Sequence, residues 1–256
     1  MLLVRRLLPT PAENVVPLDE QLSIERDRGD GSPWVAINMV ATVDGAFALG
    51  GVSGPIGGEG DHAMFLALRA AADVVVAAAG TVRAEGYGPA RPAAEVRARR
   101  ASAGRTEVPP ICVVTRSLDL DLDSPLFTEA QVPTVVATTA TADPRRRAAV
   151  AEVATVLEAG DDSVEPARLV AALGEMGHRV VLVEGGPALD AQLIAGGVVD
   201  EISLTVTPKV AGDAMRNVLG EPSMDVPAEL DLTHVWNQDG ELYLRYVWAA
   251  TSSGGE

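Results

Sequence analysis

Apolar positions along this chain keep two different periods, and the switches between them mark out its elements. "WVAINMVA" predicts a strand over 34–41, with Asn38 as its only polar interior residue. "DVVVAAA" (73–79) is a continuous apolar run, as expected of a strand buried on both faces. "ICVVT" (111–115), "TVVATT" (134–139), the short "ATVLEAG" and "HRVVLVEGG" (178–186) read as further strands. Helical spacing separates them. "EGDHAMFLALRAAA" (59–72) sets Met64, Phe65 and Leu68 at helical intervals, and a short helix opens at Gly80-Thr81. The Pro-, Arg- and Ala-rich segment 88–109 is a surface excursion that contains a helix, "AAEVRARRAS". "ADPRRRAAVAEV" is a helix that Asp143 caps, with Pro144 in its first turn. "EPARLVAALGEMG" (165–177) closes on Gly177, and "PALDAQLIAGG" (187–197) begins with Pro and ends with Gly. The chain then changes character. "DEISLTVTPKV" (200–210) alternates as a strand, and "DLTHVWNQDGELYLRYVW" is a hairpin turning at Asp239-Gly240.

Such β/α alternation predicts a single α/β domain with a mostly parallel central sheet flanked by helices, ending in an antiparallel C-terminal hairpin. The expected core is 33–248, after an N-terminal extension (1–32) and before a frayed tail (249–256). Apolar residues make up 47% of the 256, but aromatics only 4%, so the core must be built from Val, Leu, Ala and Ile. The net charge of −16 speaks against nucleic-acid partners, which need basic patches. Cys112 is the only cysteine, so no disulfide framework exists, and a reducing, cytoplasmic setting is expected. In "MLLVRRLLPTP" the apolar run is broken by Arg5, Arg6, Pro9 and Pro11, too short for a signal segment or a membrane span.

In an open α/β sheet, ligands bind beyond the carboxyl ends of the strands, so the candidate chemistry is what each strand delivers there. Strand 73–79 delivers Gly80, Thr81 and Val82, suited to a phosphate, although taken alone the segment reads first as a plain strand-to-helix turn. Strand 178–184 delivers Glu184, Gly185, Gly186 and Pro187, with Ala188 and Leu189 opening the next helix. Paired glycines before a helix suit a diphosphate, although the spacing is not the G-x-G-x-x-G fingerprint. Strand 111–115 delivers Thr115, Arg116 and Ser117, a set able to hold a 2′-phosphate. Thr138 and Thr139 end the neighbouring strand, where an adenine pocket would lie. The first strand carries Asn38 and delivers Thr42 and Asp44, donors and acceptors of the kind a planar heterocycle needs. The three histidines, His62, His178 and His234, form no metal motif. The nucleophile-elbow, P-loop and zinc-deaminase signatures are absent.

These segments, in this order, resemble the reductase domain of the riboflavin-biosynthesis deaminase/reductase family over roughly 33–248. The resemblance rests on "NMVATVDGAFA", on "SGPIGGEGDHAMFLALRAAADVVVAAAGTVRAEGYGPARP" and on "VVLVEGGPALDAQLIAGGVVDEISLTVTPKVAG". It implies a dihydrofolate-reductase-like fold, NADPH as cofactor and a pyrimidine or pteridine-like substrate. By the resemblance, Gly80, Thr81 and Val82 fall at the nicotinamide side, Gly185 to Ala188 at the diphosphate, and Arg116 and Ser117 near the 2′-phosphate. Asp44 and Glu184 fall at the substrate ring, where one of them assists proton delivery, and Arg69 and Arg91 near its ribose phosphate. Glu85 keeps the acidic character of a segment otherwise replaced by "EGYGP", in which Tyr87 is placed to stack on a ring or to pack a turn. Ala46 stands where the family has a substrate-contacting lysine, and no deaminase half is present in the sequence.

Three functions follow, in order of preference. The first is reduction of the ribosylamino-pyrimidine phosphate of riboflavin synthesis. The second is reduction of dihydrofolate or another pterin, and the third is NADP binding without turnover. The family pattern implies a homodimer, for which strand 200–210 and the C-terminal hairpin are the expected open edges.

Overall fold

The computed structural model describes residues 3–8, 16–17, 24–212, 217–224 and 226–248; the tail expected to fray lies outside them. The elements follow the predicted alternation. They are β3 (Trp34–Thr42), α1 (Glu59–Ala71), β4 (Val74–Ala78), α2 (Ala79–Ala84), α3 (Ala94–Ser102) and β5 (Ile111–Val114). Next come α4 (Pro125–Thr128), β6 (Val135–Thr138), α5 (Pro144–Ala151), β7 (Thr155–Glu158), α6 (Pro166–Glu175), β8 (Val180–Val183) and α7 (Pro187–Ala195). β9 (Glu201–Thr207), β10 (Leu230–Gln238) and β11 (Glu241–Trp248) complete the series. Two strands precede it, β1 (Leu3–Leu8) and β2 (Val16–Pro17), inside the segment expected to be an extension.

All the strands join one sheet in the order β2-β1-β10-β11-β9-β3-β8-β4-β5-β6-β7. From β9 to β7 every pairing is parallel; from β9 through β11 and β10 to β2 every pairing is antiparallel. This corrects the expected open edges. β9 lies between β11 and β3, and the hairpin lies between β9 and β1, so neither is an edge; among the described strands the edges are β2 and β7.

Local chemistry explains the boundaries. The Asp143 carboxylate accepts from the amides of Arg145 and Arg146, both at 2.9 Å, and caps α5 as expected. Asp239 and Gly240 turn the hairpin with φ of 51° and 85°, the left-handed pair that a two-residue turn requires. The central strands alternate between two cores. Ala36, Val75, Val113, Val136 and Leu182 pack with Met64 and Leu68 of α1 on one face. Val35, Val74, Val76, Val135 and Val183 pack with Leu169 and Leu173 of α6 and Leu193 of α7 on the other.

Candidate active site

The carboxyl ends of β3, β4 and β8 surround a cavity of ≈ 630 Å³, a size typical of small-molecule sites. It joins three of the predicted deliveries. Asn38 comes from β3, Gly80, Thr81, Glu85 and Tyr87 from the segment after β4, and Glu184 to Ala188 from the turn after β8. Arg69 enters from the last turn of α1.

At its centre is a clamp. Arg69 Nε donates to Glu184 Oε1 and Arg69 Nη2 to Glu184 Oε2, both at 2.6 Å, a bidentate pair. The Tyr87 hydroxyl donates to Glu184 Oε2 at 2.9 Å. The guanidinium carbon lies 4.1 Å from the Phe65 ring centroid and 5.4 Å from that of Tyr87. Burial pulls the Arg69 pKa down, but the Glu184 carboxylate outweighs it and the net shift is upward. Burial, then the Glu184 charge, pushes the Tyr87 phenol well above its usual range, so it stays a donor.

A second acidic group enters from the start of α1. The sequence "GGEGD" leaves space rather than filling it. A Cβ on Gly57 would collide with the Asp61 carboxylate, and one on Gly58 or Gly60 would collide with Glu241. The Tyr243 hydroxyl also stands against Gly60. Glu241, from β11, accepts from the Asp61 amide at 3.1 Å and from the Tyr243 hydroxyl at 2.8 Å. Asp61 lines the cavity, and its pKa is raised, first by burial and further by the Glu241 charge. Sequence reasoning missed Asp61 and Phe65; the glycines crowded before an acid at a helix start were the available signal for Asp61.

Other predicted residues stand elsewhere. Thr42 and Asp44 form a turn clamp outside the cavity lining. Thr42 Oγ1 donates to Asp44 Oδ1 at 2.5 Å and accepts from the Ala46 amide. The Asp44 carboxylate accepts from the amides of Ala211 and Gly212, tying the end of β3 to the segment after β9. These bonds, Thr42 first, hold its pKa at about 2. Ala46 is fully buried and also outside the lining. Val82 and Leu189 are core residues. Arg91 pairs with Glu129 on the surface. Thr115 is buried and accepts from the Leu118 amide at 3.1 Å, while Arg116 and Ser117 are exposed beside it. Thr138 and Thr139 are fully buried at the end of β6 and its flank, with no partner for either hydroxyl among the described residues. None of these five residues lines the cavity.

The family model of the RibD C-terminal domain matches residues 33–244. The 2,5-diamino-6-ribosylamino-4(3H)-pyrimidinone 5′-phosphate reductase of Methanothermobacter thermautotrophicus is 29% identical over 219 residues, which cover 84% of this chain and 98% of that protein. The protein of that name from Archaeoglobus fulgidus is 30% identical over 181 residues, 70% of this chain and 82% of its own length. Among solved structures, a pyrimidine reductase-like protein from Corynebacterium diphtheriae superposes with a TM-score of 0.77 at 26% identity, covering 85% of this chain and 92% of that one.

Proposed function

The chain belongs to the RibD C-terminal domain family, and we propose that it is an NADPH-dependent reductase of the ribosylamino-pyrimidine phosphate of riboflavin biosynthesis. One observation carries the reading: a single cavity joins the Gly80-Thr81 and Gly185–Ala188 turns to the Arg69–Glu184–Tyr87 clamp. A dinucleotide on the turns therefore lies beside a heterocycle on the clamp.

The residues present fit the cofactor. Gly185 and Gly186 have φ of 93° and 103°, open to glycine and strained for other residues. A Cβ on Gly186 would stand 2.5 Å from Ala78 Cβ and 3.3 Å from Thr81 Oγ1, so the two turns approach as closely as bare backbone permits. α7 starts at Pro187 without a side-chain cap; Leu189 and Asp190 donate their amides to the Gly186 carbonyl and Pro187 has none, so the Ala188 amide is the first-turn donor left for a diphosphate. Arg116 and Ser117, exposed after β5, remain our candidates for the 2′-phosphate, with Thr115, Thr138 and Thr139 behind them. When bound, NADPH supplies a hydride to the substrate's imine carbon. The chain's own work is positioning: the fixed Glu184 carboxylate accepts a ring N–H, Asn38 offers an amide, and Phe65 and Tyr87 wall the ring. Glu85 accepts from the Ser53 amide at 2.7 Å, which ties together two segments of the cavity lining.

A homodimer in the cytoplasm is part of the same reading. Its support is an apolar sheet face rather than an edge. Leu204 pairs with Leu244 and Val206 with Leu242, and all four remain only half-buried. A second copy covers this face, and sedimentation at micromolar concentration should show a dimer; a monomer would remove that part.

The functional test is NADPH oxidation with the pyrimidine phosphate and, separately, with dihydrofolate. Turnover of the pyrimidine is expected. Turnover of dihydrofolate alone would replace the reading with a pterin reductase.

A further inference from the structure

Reduction of a C=N bond needs a proton as well as a hydride, and the described cavity lining offers three acids for it, Asp61, Glu85 and Glu184. Glu184 is engaged by Arg69 on both oxygens. Glu85 is exposed and accepts from the Ser53 amide. Asp44 lies outside the cavity and is ionised down to a pH of about 2. Tyr87 donates its hydroxyl hydrogen bond to Glu184, and burial, then the Glu184 charge, pushes its pKa well above the usual phenol value, too weak an acid for a working proton donor.

Asp61 is set differently. Its carboxyl lies in the cleared space over Gly57, beside the carboxylate of Glu241. Glu241 accepts from the Asp61 amide and the Tyr243 hydroxyl, both on Oε2. Two acids packed together do not both ionise easily, and of this pair Asp61 is the one that lines the cavity. Thr205 of β9 bonds Asp61 and, with Lys209 after β9 and His62 on its own helix, favours the anion. Burial and Glu241 prevail over these three, so the net shift is upward. Lys209 is meanwhile spent on the carbonyls of Pro55, Ile56 and Gly57 at 3.1, 2.8 and 2.7 Å.

We propose that Asp61 is the general acid of the reduction, delivering its carboxyl proton to the nitrogen of the substrate's C=N bond. This rests on the reductase reading. The hydride arriving from NADPH forms the new C–H bond. The C=N π pair moves to nitrogen, which takes the Asp61 proton, and the Asp61 O–H bond breaks. The products are the amine, NADP⁺ and the Asp61 carboxylate, which regains a proton from water.

The test uses the full-length protein, wild type and Asp61→Asn. D61N should bind NADPH as the wild type does, by fluorescence titration, and lose about 100-fold in kcat, the usual worth of a positioned acid. The wild-type kcat should fall as pH rises through the Asp61 titration, and that limb should vanish in D61N. Infrared difference spectra of the wild type should show a protonated carboxyl that titrates over the same limb and is absent from D61N. D61N turning over within threefold of wild type, or an Asp61 already ionised throughout the active pH range, overturns Asp61 alone. No turnover by the wild type with the pyrimidine phosphate overturns both the proposal and the reading beneath it.

Discussion

Two glutamates in this sheet are each gripped by arginine, Glu201 at the start of β9 and Glu184 just past the end of β8, and they differ in what is left over. Glu201 is fully buried and takes five hydrogen bonds. Arg26 donates through Nε and Nη2 at 3.0 and 2.8 Å. Arg245 adds one at 2.9 Å, the Trp34 indole one at 3.1 Å and the Ser203 hydroxyl one at 3.1 Å. Among the described residues Glu184 takes only three, from Arg69 and Tyr87, and it faces a cavity. A carboxylate has about four lone-pair positions. Glu201 is saturated and has nothing to offer a ligand; Glu184 keeps capacity on Oε1. The chemistry of the pair is the same, and the unspent acceptor separates a structural ion pair from a candidate site.

The comparison breaks most sharply at Glu201. Glu201→Gln removes a buried charge that Arg26 and Arg245 both grip and should cost about 3–5 kcal/mol in chemical denaturation, with activity per folded molecule retained. Burial acts to raise the Glu201 pKa, but the two arginines overcome it and hold it at about 2. A depressed folded value means the stabilisation is complete above the ordinary glutamate range and is lost as pH falls toward 2. Wild-type stability should therefore drop through that acidic window, and the drop should flatten in E201Q. The converse variant, Glu184→Gln, should lower kcat/KM for the pyrimidine about 100-fold, about 2.7 kcal/mol, with a smaller stability change because Arg69 keeps 17% side-chain exposure. If E184Q unfolds the protein while E201Q leaves stability intact, the saturation argument is wrong.

Asp190 extends the series to zero partners. It is fully buried in the first turn of α7, and neither carboxylate oxygen has a hydrogen-bond partner among the described residues. Burial pushes its pKa up to about 8. A folded value above the ordinary aspartate range means the stability is intact below that range and is lost as pH rises toward 8. Asp190→Asn should raise stability at pH 8 by about 2 kcal/mol and leave it nearly unchanged near pH 4, measured by urea denaturation at both.

What was legible in the sequence divides along the same line. Strand ends are local features, so Glu184-Gly185-Gly186 and Gly80-Thr81 could be read from runs of apolar residues and the glycines after them. The partners that decide an acid's role are distant. Arg26 and Glu201 stand 175 positions apart, and the Asp61 amide and Glu241 stand 180 apart. Asp44 looked like a cavity acid because its amide partners, Ala211 and Gly212, lie far along the chain. Strand order failed for the same reason. "LVRRLL" shows no clean alternation; its pairing with β2 and β10 makes it a strand, and the β10 pairing turns the hairpin from an edge into an interior. Periodicity reports which residues share a face, and says little about which segment lies alongside.

Tyr87 gives the smallest effect and the finest resolution of the comparison. Tyr87→Phe keeps the ring that flanks Arg69 and deletes one of the three hydrogen bonds to Glu184. A bond to a charged acceptor contributes about 1.5–3 kcal/mol, but here Arg69 still holds both oxygens and the cavity admits water to the vacated position. The net loss should be about 1 kcal/mol, a five- to tenfold fall in kcat/KM. If Glu184 accepts the substrate ring, a freed lone pair can also accept a second ring N–H, so KM should change less than kcat. A pure packing role predicts the opposite: with the ring retained, neither parameter moves. Steady-state kinetics of Y87F beside E184Q decides between them, because the tyrosine's hydroxyl is worth something only where the carboxylate it touches is in use.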